Sequence, residues 1–255
     1  MSKKLSNVSD IFVQKLHEKV WKILLREDVL DIWLASGGSK TRFPYGLSMA
    51  KNQAHIAPLG GNIWTIGSEQ RSIDTHYWYI VNLLIRQYSP SGAIIAHEKS
   101  MECHLRNYEI PSCLVLYSRD TDKRIQIGEY MFHFRTRKTG EKSGSKNMYR
   151  LLLAQSEEII IDGLNLKILG YEASLLDVAS LRIHDDGIEE SLILRFLQKY
   201  HTKLSREKLG ELVAQRYIRA LNRIRRLTKE HGYTELYNVT LDIIRREGWG
   251  CYLNL

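Results

Sequence analysis

The stretch from Ala93 to Phe134 constrains the fold of this chain more than any other, because it joins a helical pattern to a series of strand patterns. A short apolar run is followed by small and apolar residues at helical spacing up to about Asn107. Three β-branched or aromatic runs come next, bounded by Pro111, a polar turn and Gly128. A short helix that leads into several strands predicts an α+β core with further segments attached on either side.

Composition and charge narrow the class of protein. The 255 residues carry enough apolar side chains to bury a core, and a charged fraction of 26% is typical of neither disordered nor fibrous chains. The formal net charge of +8 indicates a polyanionic partner such as nucleic acid, or an acidic protein. A solubilising surface is equally compatible with this charge.

The cysteines and the apolar runs predict a cytoplasmic protein. Cys103, Cys113 and Cys251 are widely spaced and form no CxxC pair, which argues against a disulfide framework or a zinc site and favours a reducing compartment. The first ten residues lack the apolar segment of a signal peptide. No apolar run approaches the ~20 residues that cross a bilayer, so we expect no membrane partner.

Residues 1–72 are predicted to form a winged helix-turn-helix domain. Ser9 precedes apolar residues at helical spacing through Leu24, and a second helix stops before Gly37. After a basic stretch and a short helix, a hairpin is expected to pair 54–58 with 62–66. In such domains a helix enters the major groove and the ribbon touches the DNA backbone, although these elements also occur in other α+β proteins. The candidate DNA contacts are Lys40, Arg42 and Lys51.

Residues 73–182 are predicted to form the α+β core. A helix is expected over 74–88, and Asp162-Gly163 is the strongest hairpin signal of the chain, followed by a helix from Glu172 to Ala179. The basic stretch 135–146 lacks GxxxxGK[ST] spacing, so we interpret it as a solvated loop rather than a phosphate cradle.

Two runs in this core resemble the AbiEi-type antitoxins. One is Ala93-Ile-Ile-Ala-His-Glu-Lys-Ser-Met-Glu-Cys-His-Leu, and the other runs from Glu157 through Asp162-Gly163 to Glu172-Ala-Ser-Leu-Leu-Asp177, with Ser174 where that family usually has threonine. Order and spacing are similar over residues 75–182. The resemblance implies the antitoxin of a two-gene toxin-antitoxin module in phage defence. It also implies a winged helix that binds its own promoter and a toxin resembling nucleotidyltransferases. The helix-turn-helix of this chain starts later than in that family.

Residues 183–255 are predicted to form a helical layer, with helices over 189–200, 205–230 and 239–246. Basic residues recur every three or four positions on the second of these helices and therefore share one face. Such a face repels itself unless an anion lies against it, so it is expected to contact DNA or an acidic patch of the toxin, or else to be simply solvated. The residues of this face are Arg216, Arg219, Arg223, Arg226 and Lys229.

Candidate catalytic groups are few. His97, Glu98, Cys103 and His104 lie close in sequence, but the two histidines are two helical turns apart, so we interpret them as structural rather than as metal ligands. Asp185-Asp186 is better explained as a capping turn beside Gly187. We therefore expect a binding protein without catalysis, metal or cofactor. The alternative is a nucleic-acid enzyme, such as a metal-dependent nuclease with an unrecognised site. The oligomeric state stays open.

Overall fold

The structure is a computed structural model of the chain, and it is described here for residues 2–19, 22–67, 73–136, 148–181, 190–214, 217–246 and 248, with side chains from residue 7 onward. The described residues form a mixed α+β fold, which confirms the predicted class: 11 helices, a three-stranded antiparallel sheet and a six-stranded mixed sheet. The chain packs as two compact units. The first unit comprises Met1–Pro90 with Arg124–Phe132, and the second comprises Ser91–Lys123 with His133–Leu255.

The first unit begins with the order of elements of a winged helix-turn-helix domain: helix, strand, two helices and a hairpin. Strand β3 lies between β1 and β2, and both pairings are antiparallel. The predicted hairpin is thereby confirmed. The elements are α1 (Ser2–His17), β1 (Ile23–Leu25), α2 (Arg26–Ala35), α3 (Phe43–Gln53), β2 (Ala57–Gly60) and β3 (Ile63–Thr65). Helix α4 (Tyr77–Tyr88) follows them, as predicted for 74–88.

The predicted bounds of the first helix were wrong at both ends. Ser9 lies inside α1 with a buried side chain instead of capping its start. The helix ends at His17, and Ile23 and Leu24 belong to β1, where they pair with Thr65 and Trp64. A short apolar run does not distinguish a buried strand from a helix, and only the pairing partner on β3 decides between them.

Trp33 lies at the centre of the first unit and sets how closely α3 approaches α2. Its ring is fully buried, meets Phe12 edge to face at 5.3 Å between centroids, and donates Nε1–H to the carbonyl of Ser39 at 2.8 Å. A Cβ atom at Gly46 would lie 2.7 Å from this ring. A glycine is therefore needed at this position for α3 to pack against the indole.

The second sheet is mixed, and four of its six strands lie wholly in the second unit. Its strand order is β6-β7-β5-β4-β9-β8, with β4 antiparallel to β5 and parallel to β9. The strands are β4 (Ala93–Ile95), β5 (Cys113–Ser118), β6 (Lys123–Ile127), β7 (Tyr130–Thr136), β8 (Glu157–Ile161) and β9 (Leu164–Ile168). The hairpin at Asp162-Gly163 is confirmed, since Ile161 pairs with Leu164 and both turn residues have positive φ, as a two-residue type I′ turn requires.

A helical layer packs on this sheet around one apolar core that includes Leu175, Leu176 and Phe196. Its helices are α5 (His97–His104), α6 (Met148–Ala154), α7 (Tyr171–Ser180), α8 (Glu190–Tyr200), α9 (Arg206–Val213), α10 (Ile218–Glu230) and α11 (Thr234–Arg246). Within the described residues, no helix combines the length and apolarity needed to cross a membrane.

The single helix predicted over 205–230 is wrong, because α9 ends at Val213 and α10 begins at Ile218. Ser205 caps α9 by accepting a hydrogen bond from the backbone of Lys208 at 3.3 Å. Spacing alone cannot detect a break between two helices whose apolar faces line the same core. Several predictions fall outside the described residues: those on Arg216, on most of the loop 135–146, on Asp185-Asp186 and on Cys251.

Candidate nucleic-acid interface

Helix α3 divides cleanly into a buried face and an exposed face. Phe43, Gly46 and Ala50 are buried against the first unit. The exposed face carries hydrogen-bonding side chains and one aromatic ring, because Tyr45 is 50% exposed. These are side chains able to reach base edges or phosphates. The residues of this face are Tyr45, Ser48, Lys51 and Asn52.

The predicted basic residues of the first unit lie at this same surface. Lys40 and Arg42 are exposed in the 3-10 turn that leads directly into α3, and the Lys51 ammonium lies 6.0 Å from the Trp64 ring centroid. A further cation was missed by sequence reasoning: the guanidinium of Arg26 sits over the Phe43 ring at 5.1 Å. Within the described part of the chain, none of these four cations forms an ion pair.

Three of these cations, Lys40, Arg42 and Lys51, lie in a stretch of sequence without acidic residues, whereas Arg26 is followed directly by Glu27 and Asp28. No Asp or Glu occurs between Asp31 and Glu69, a stretch that contains all of α3 and the hairpin. This signal was available from sequence and was overlooked, because net charge was counted over the whole chain. A surface with positive charge and no carboxylate attracts phosphate without first breaking internal ion pairs.

The turn of the β2–β3 hairpin packs against neighbouring residues of the first unit and does not project from it. A Cβ atom at Gly61 would lie 2.9 Å from the side chain of Ile125, and one at Gly60 would lie 3.0 Å from the carbonyl of Gln126. The Tyr88 hydroxyl also donates to the Gly61 carbonyl at 3.3 Å. The exposed residues of β2, Ala57 and Pro58, carry no charge. The α3 surface therefore holds the groups suited to DNA contact.

The predicted arginine face of α10 is partly neutralised from within the second unit. Arg223 is only 12% exposed and donates to the Leu181 carbonyl at 3.3 Å and to Glu190 Oε1 at 3.4 Å. Arg226 donates to the same Glu190 oxygen at 2.8 Å. Arg219 and Lys229 are exposed and have no ion pair with a described residue. Glu190 belongs to α8, so spacing along α10 did not show that an anion already lies there.

Replacing Arg223 is therefore expected to destabilise the second unit. Arg223→Ala removes two hydrogen bonds at a largely buried position and should lower the free energy of unfolding by about 1–3 kcal/mol. Arg219→Ala, on an exposed turn of the same helix, should change it by less than ~0.5 kcal/mol. Urea unfolding, monitored by circular dichroism, compares the stabilities of the two variants. Equal stabilities of the two variants would show that the Glu190 contacts contribute nothing.

The motif that carries the family resemblance forms a buried polar centre. Asp177 is fully buried and accepts at least three hydrogen bonds: from the Tyr117 hydroxyl at 2.6 Å, the Tyr217 hydroxyl at 3.1 Å and the backbone N–H of His97 at 3.0 Å. The last contact holds the first turn of α5. His97 itself has φ of 55°, a strained value that this contact helps to maintain.

The other two polar residues of the motif also join elements of the second unit. Glu172 is buried and accepts the backbone N–H of Ser205 at 2.6 Å, which ties α7 to the start of α9. Ser174 lies 2.7 Å from the Ser100 hydroxyl, which links α7 to α5. The motif therefore organises packing around α7. These partners are distant in sequence, so spacing did not identify them.

His104 and Cys103, two of the four side chains weighed above as metal ligands, are both buried. His104 is buried with Nε2 2.7 Å from the Leu169 carbonyl, and burial lowers the pKa of its ring. Burial also raises the pKa of the Cys103 thiol to about 11. Across the described residues there is no group of three or more His, Cys, Asp or Glu side chains placed to hold a metal ion.

Together these observations describe an α+β protein whose first unit carries a basic surface on α3 and on the 3-10 turn before it. No family model matches the chain, and no curated protein is significantly similar to it. Among solved structures, its fold is similar to the crystal structure of the Rv2827c protein from Mycobacterium tuberculosis. The TM-score is 0.53 at 15% sequence identity, and the match covers 91% of this chain and 77% of that one. This similarity concerns the fold alone.

Proposed function

We propose that the protein binds duplex DNA through the exposed face of α3 and the 3-10 turn before it. The observation that carries the proposal is that Lys40, Arg42 and Lys51 are exposed on α3 and the turn before it, in a stretch of sequence without Asp or Glu. Arg26 adds a further cation over the Phe43 ring of the same helix. Such cations supply phosphate contacts that position the helix, and Tyr45, Ser48 and Asn52 supply side chains for base edges.

We further propose that this DNA binding serves a cytoplasmic antitoxin that represses its own promoter in a phage-defence module. The AbiEi-type resemblance over residues 75–182 supports this role. By the same resemblance, the partner toxin is similar to nucleotidyltransferases and is neutralised by binding. The motif residues Glu172 and Asp177 are buried, so they support the binding surface and do not contact the toxin.

The DNA contact is tested by the salt dependence of duplex affinity. Three phosphate contacts give a slope of log K against log salt near −2.7, or a loss of about 40-fold between ~50 and ~200 mM salt. The triple variant Lys40→Gln, Arg42→Gln, Lys51→Gln should abolish most of this slope. Fluorescence anisotropy with a labelled promoter fragment measures the salt dependence of duplex affinity for the wild type and for the triple variant. A slope unchanged in the triple variant would place the DNA contact elsewhere.

The control variant removes the same charge from the second unit: Arg150→Gln, Lys167→Gln and Arg195→Gln. It should bind duplex DNA as the wild type does. The variant Arg219→Gln tests separately whether α10 contacts DNA. Arg219 is the exposed arginine of this helix that has no ion pair among the described residues. A slope reduced by ~0.9 in this variant would add α10 to the DNA contact.

The antitoxin role is tested by co-expression with the protein encoded by the adjacent gene. Expression of this chain should restore growth if that protein is a nucleotidyltransferase-like toxin. The Lys40, Arg42, Lys51 triple variant should still restore growth while its promoter becomes derepressed. A neighbour that is harmless when expressed alone would contradict the antitoxin role and leave the DNA contact standing.

A further inference from the structure

The outer edge of strand β8 (Glu157–Ile161) is open in the second unit. β8 is the last strand of the six-stranded sheet, and among the described strands it pairs with β9 alone. The strand at the other edge, β6, carries Lys123 and Arg124, whose charges oppose pairing with a further strand. β8 contains no lysine, proline or bulge, and all five of its residues pair with β9 without interruption. It therefore lacks most of the features that protect the edge of a sheet.

The register of the β8–β9 hairpin fixes which backbone groups face this open edge. Ile161 and Leu164 close a two-residue turn and therefore exchange both of their backbone hydrogen bonds. Hydrogen-bonded and non-hydrogen-bonded pairs alternate along an antiparallel ladder, so the N–H and C=O groups of Glu158 and Ile160 point away from β9. Among the described residues, none of these four groups has a hydrogen-bond partner.

The side chains of Glu158 and Ile160 lie on an uncovered face of the hairpin. Both side chains are 70% exposed. Glu158 Oε1 lies 3.9 Å from Nζ of Lys167 on β9, so its charge is partly balanced from within the hairpin. An exposed isoleucine beside unpaired backbone groups favours the addition of another strand, which would bury the side chain and satisfy the backbone.

We propose that β8 pairs with β8 of a second copy of this chain, antiparallel and about a two-fold axis at Ile159. In this register Glu158 of each copy lies opposite Ile160 of the other. These are the hydrogen-bonded pairs of the new ladder, so every outward N–H and C=O group of the two residues gains a partner. The interface is isologous, and the two sheets continue into one another.

The side-chain pattern favours this register over its neighbours. On the exposed face, each row of the joined sheet contains Lys167 and Glu158 of one copy, followed by Ile160 and Asn165 of the other. No like charges lie directly opposite each other in these rows. A two-fold axis at Glu158 would oppose two Glu158 carboxylates, and an axis at Ile160 would place Glu158 opposite Asp162. Of these three registers, only the one centred on Ile159 avoids opposed carboxylates.

Sedimentation velocity of the full chain without DNA, from ~1 to ~300 µM, tests the pairing. An interface built on five residues of each copy is small, so we expect a reversible dimer with Kd of about 10–100 µM. Ile160→Glu should weaken it at least about tenfold, because the new carboxylate lies opposite Glu158 of the second copy. Ile160→Lys is the matched variant. It loses the same isoleucine but places an ammonium opposite that carboxylate, so its Kd should stay within about threefold of the wild type.

Three results would overturn the proposal. A chain that stays monomeric at ~300 µM would leave the edge to another partner, such as a strand of the toxin. Equal weakening by the two substitutions would exclude the proposed register, and a dimer unaffected by either would lie on another surface. Circular dichroism shows that each variant is folded, as expected for a side chain that is 70% exposed.

Cysteine cross-linking tests the position of the two-fold axis. The Cα atoms of a non-hydrogen-bonded antiparallel pair lie ~4.5 Å apart, within the range that a disulfide spans. In a chain with Cys113 and Cys251 replaced by serine, Ile159→Cys should therefore form a covalent dimer under mild oxidation. Glu158→Cys is the control, because its two Cα atoms would lie ~8 Å apart, too far for a disulfide. A dimer linked at position 158 and not at position 159 would contradict the register.

The dimer does not depend on the proposed DNA binding, since these measurements contain no DNA. If both proposals hold, the dimer presents two α3 surfaces, which suits a duplex with two inverted half-sites. Ile160→Glu should then lose cooperative binding to such a duplex and keep the wild-type affinity for a single half-site. Loss of single-site affinity in this variant would show that β8 belongs to the DNA contact instead.

Discussion

Asp177→Ala is expected to lower the free energy of unfolding by about 3–5 kcal/mol, because it leaves buried donors without an acceptor. The Tyr117 and Tyr217 hydroxyls and the His97 N–H all donate to this carboxylate in a site closed to solvent. Each buried donor left unsatisfied costs about 1–3 kcal/mol. The loss also releases the first turn of α5 from α7.

Thermal unfolding by circular dichroism measures the effect, and a decrease in Tm of roughly 10 °C corresponds to this cost for a chain of this size. Asp177→Asn is the matched variant, since the amide keeps one acceptor for the two hydroxyls but presents no second acceptor to His97. It should lose about half as much stability. An Asp177→Ala protein with the same Tm as the wild type would mean that these contacts are not made.

Leu176→Ala should lower the free energy of unfolding by about 2–5 kcal/mol and reduce solubility. The Leu176 side chain is fully buried in the core of the second unit, where α7 packs against the other helices. Removing it costs the transfer free energy of its methyl and methylene groups and leaves a cavity that the neighbouring side chains fill only in part.

Ile160→Ala is the control for this measurement, because the Ile160 side chain on β8 is 70% exposed. Truncating a branched aliphatic side chain there should cost less than ~0.5 kcal/mol. Urea midpoints of the two variants compare a buried and an exposed truncation in the same unit. Indistinguishable midpoints would mean that α7 is not part of the core.

Elements whose structure depends on residues close in sequence could be predicted from the sequence. The hairpin at Asp162-Gly163 follows from two residues that tolerate positive φ between apolar runs, and its register agrees with the prediction. The helices α2, α4 and α7 follow from apolar periodicity within one segment. The basic residues of the α3 surface were also identified, because Lys40, Arg42 and Lys51 lie in one stretch of chain. Their role in DNA binding remains a prediction.

Interactions between distant segments were not predictable. Strand β1 was taken for helix because its partner β3 lies about 40 residues downstream, and pairing rather than propensity decides such short runs. The prediction for the arginine face of α10 did not include Glu190. This residue of α8 forms ion pairs with Arg223 and Arg226. A cleft beside Tyr171 is lined by residues of α5, β8, α7 and α8, and no spacing rule joins them.

The sequence by itself therefore determined the α+β class, the turns and most helices of this protein, since backbone preference and apolar period act between near neighbours. Only the tertiary structure decided which charges are paired, which polar residues are buried and which face of α3 is exposed. The energy of a charge or a hydrogen bond depends on burial and on partners from distant segments. Asp177 shows this difference: in sequence it is one acidic residue in a helix, and in the fold it is the buried acceptor that joins α7 to α5.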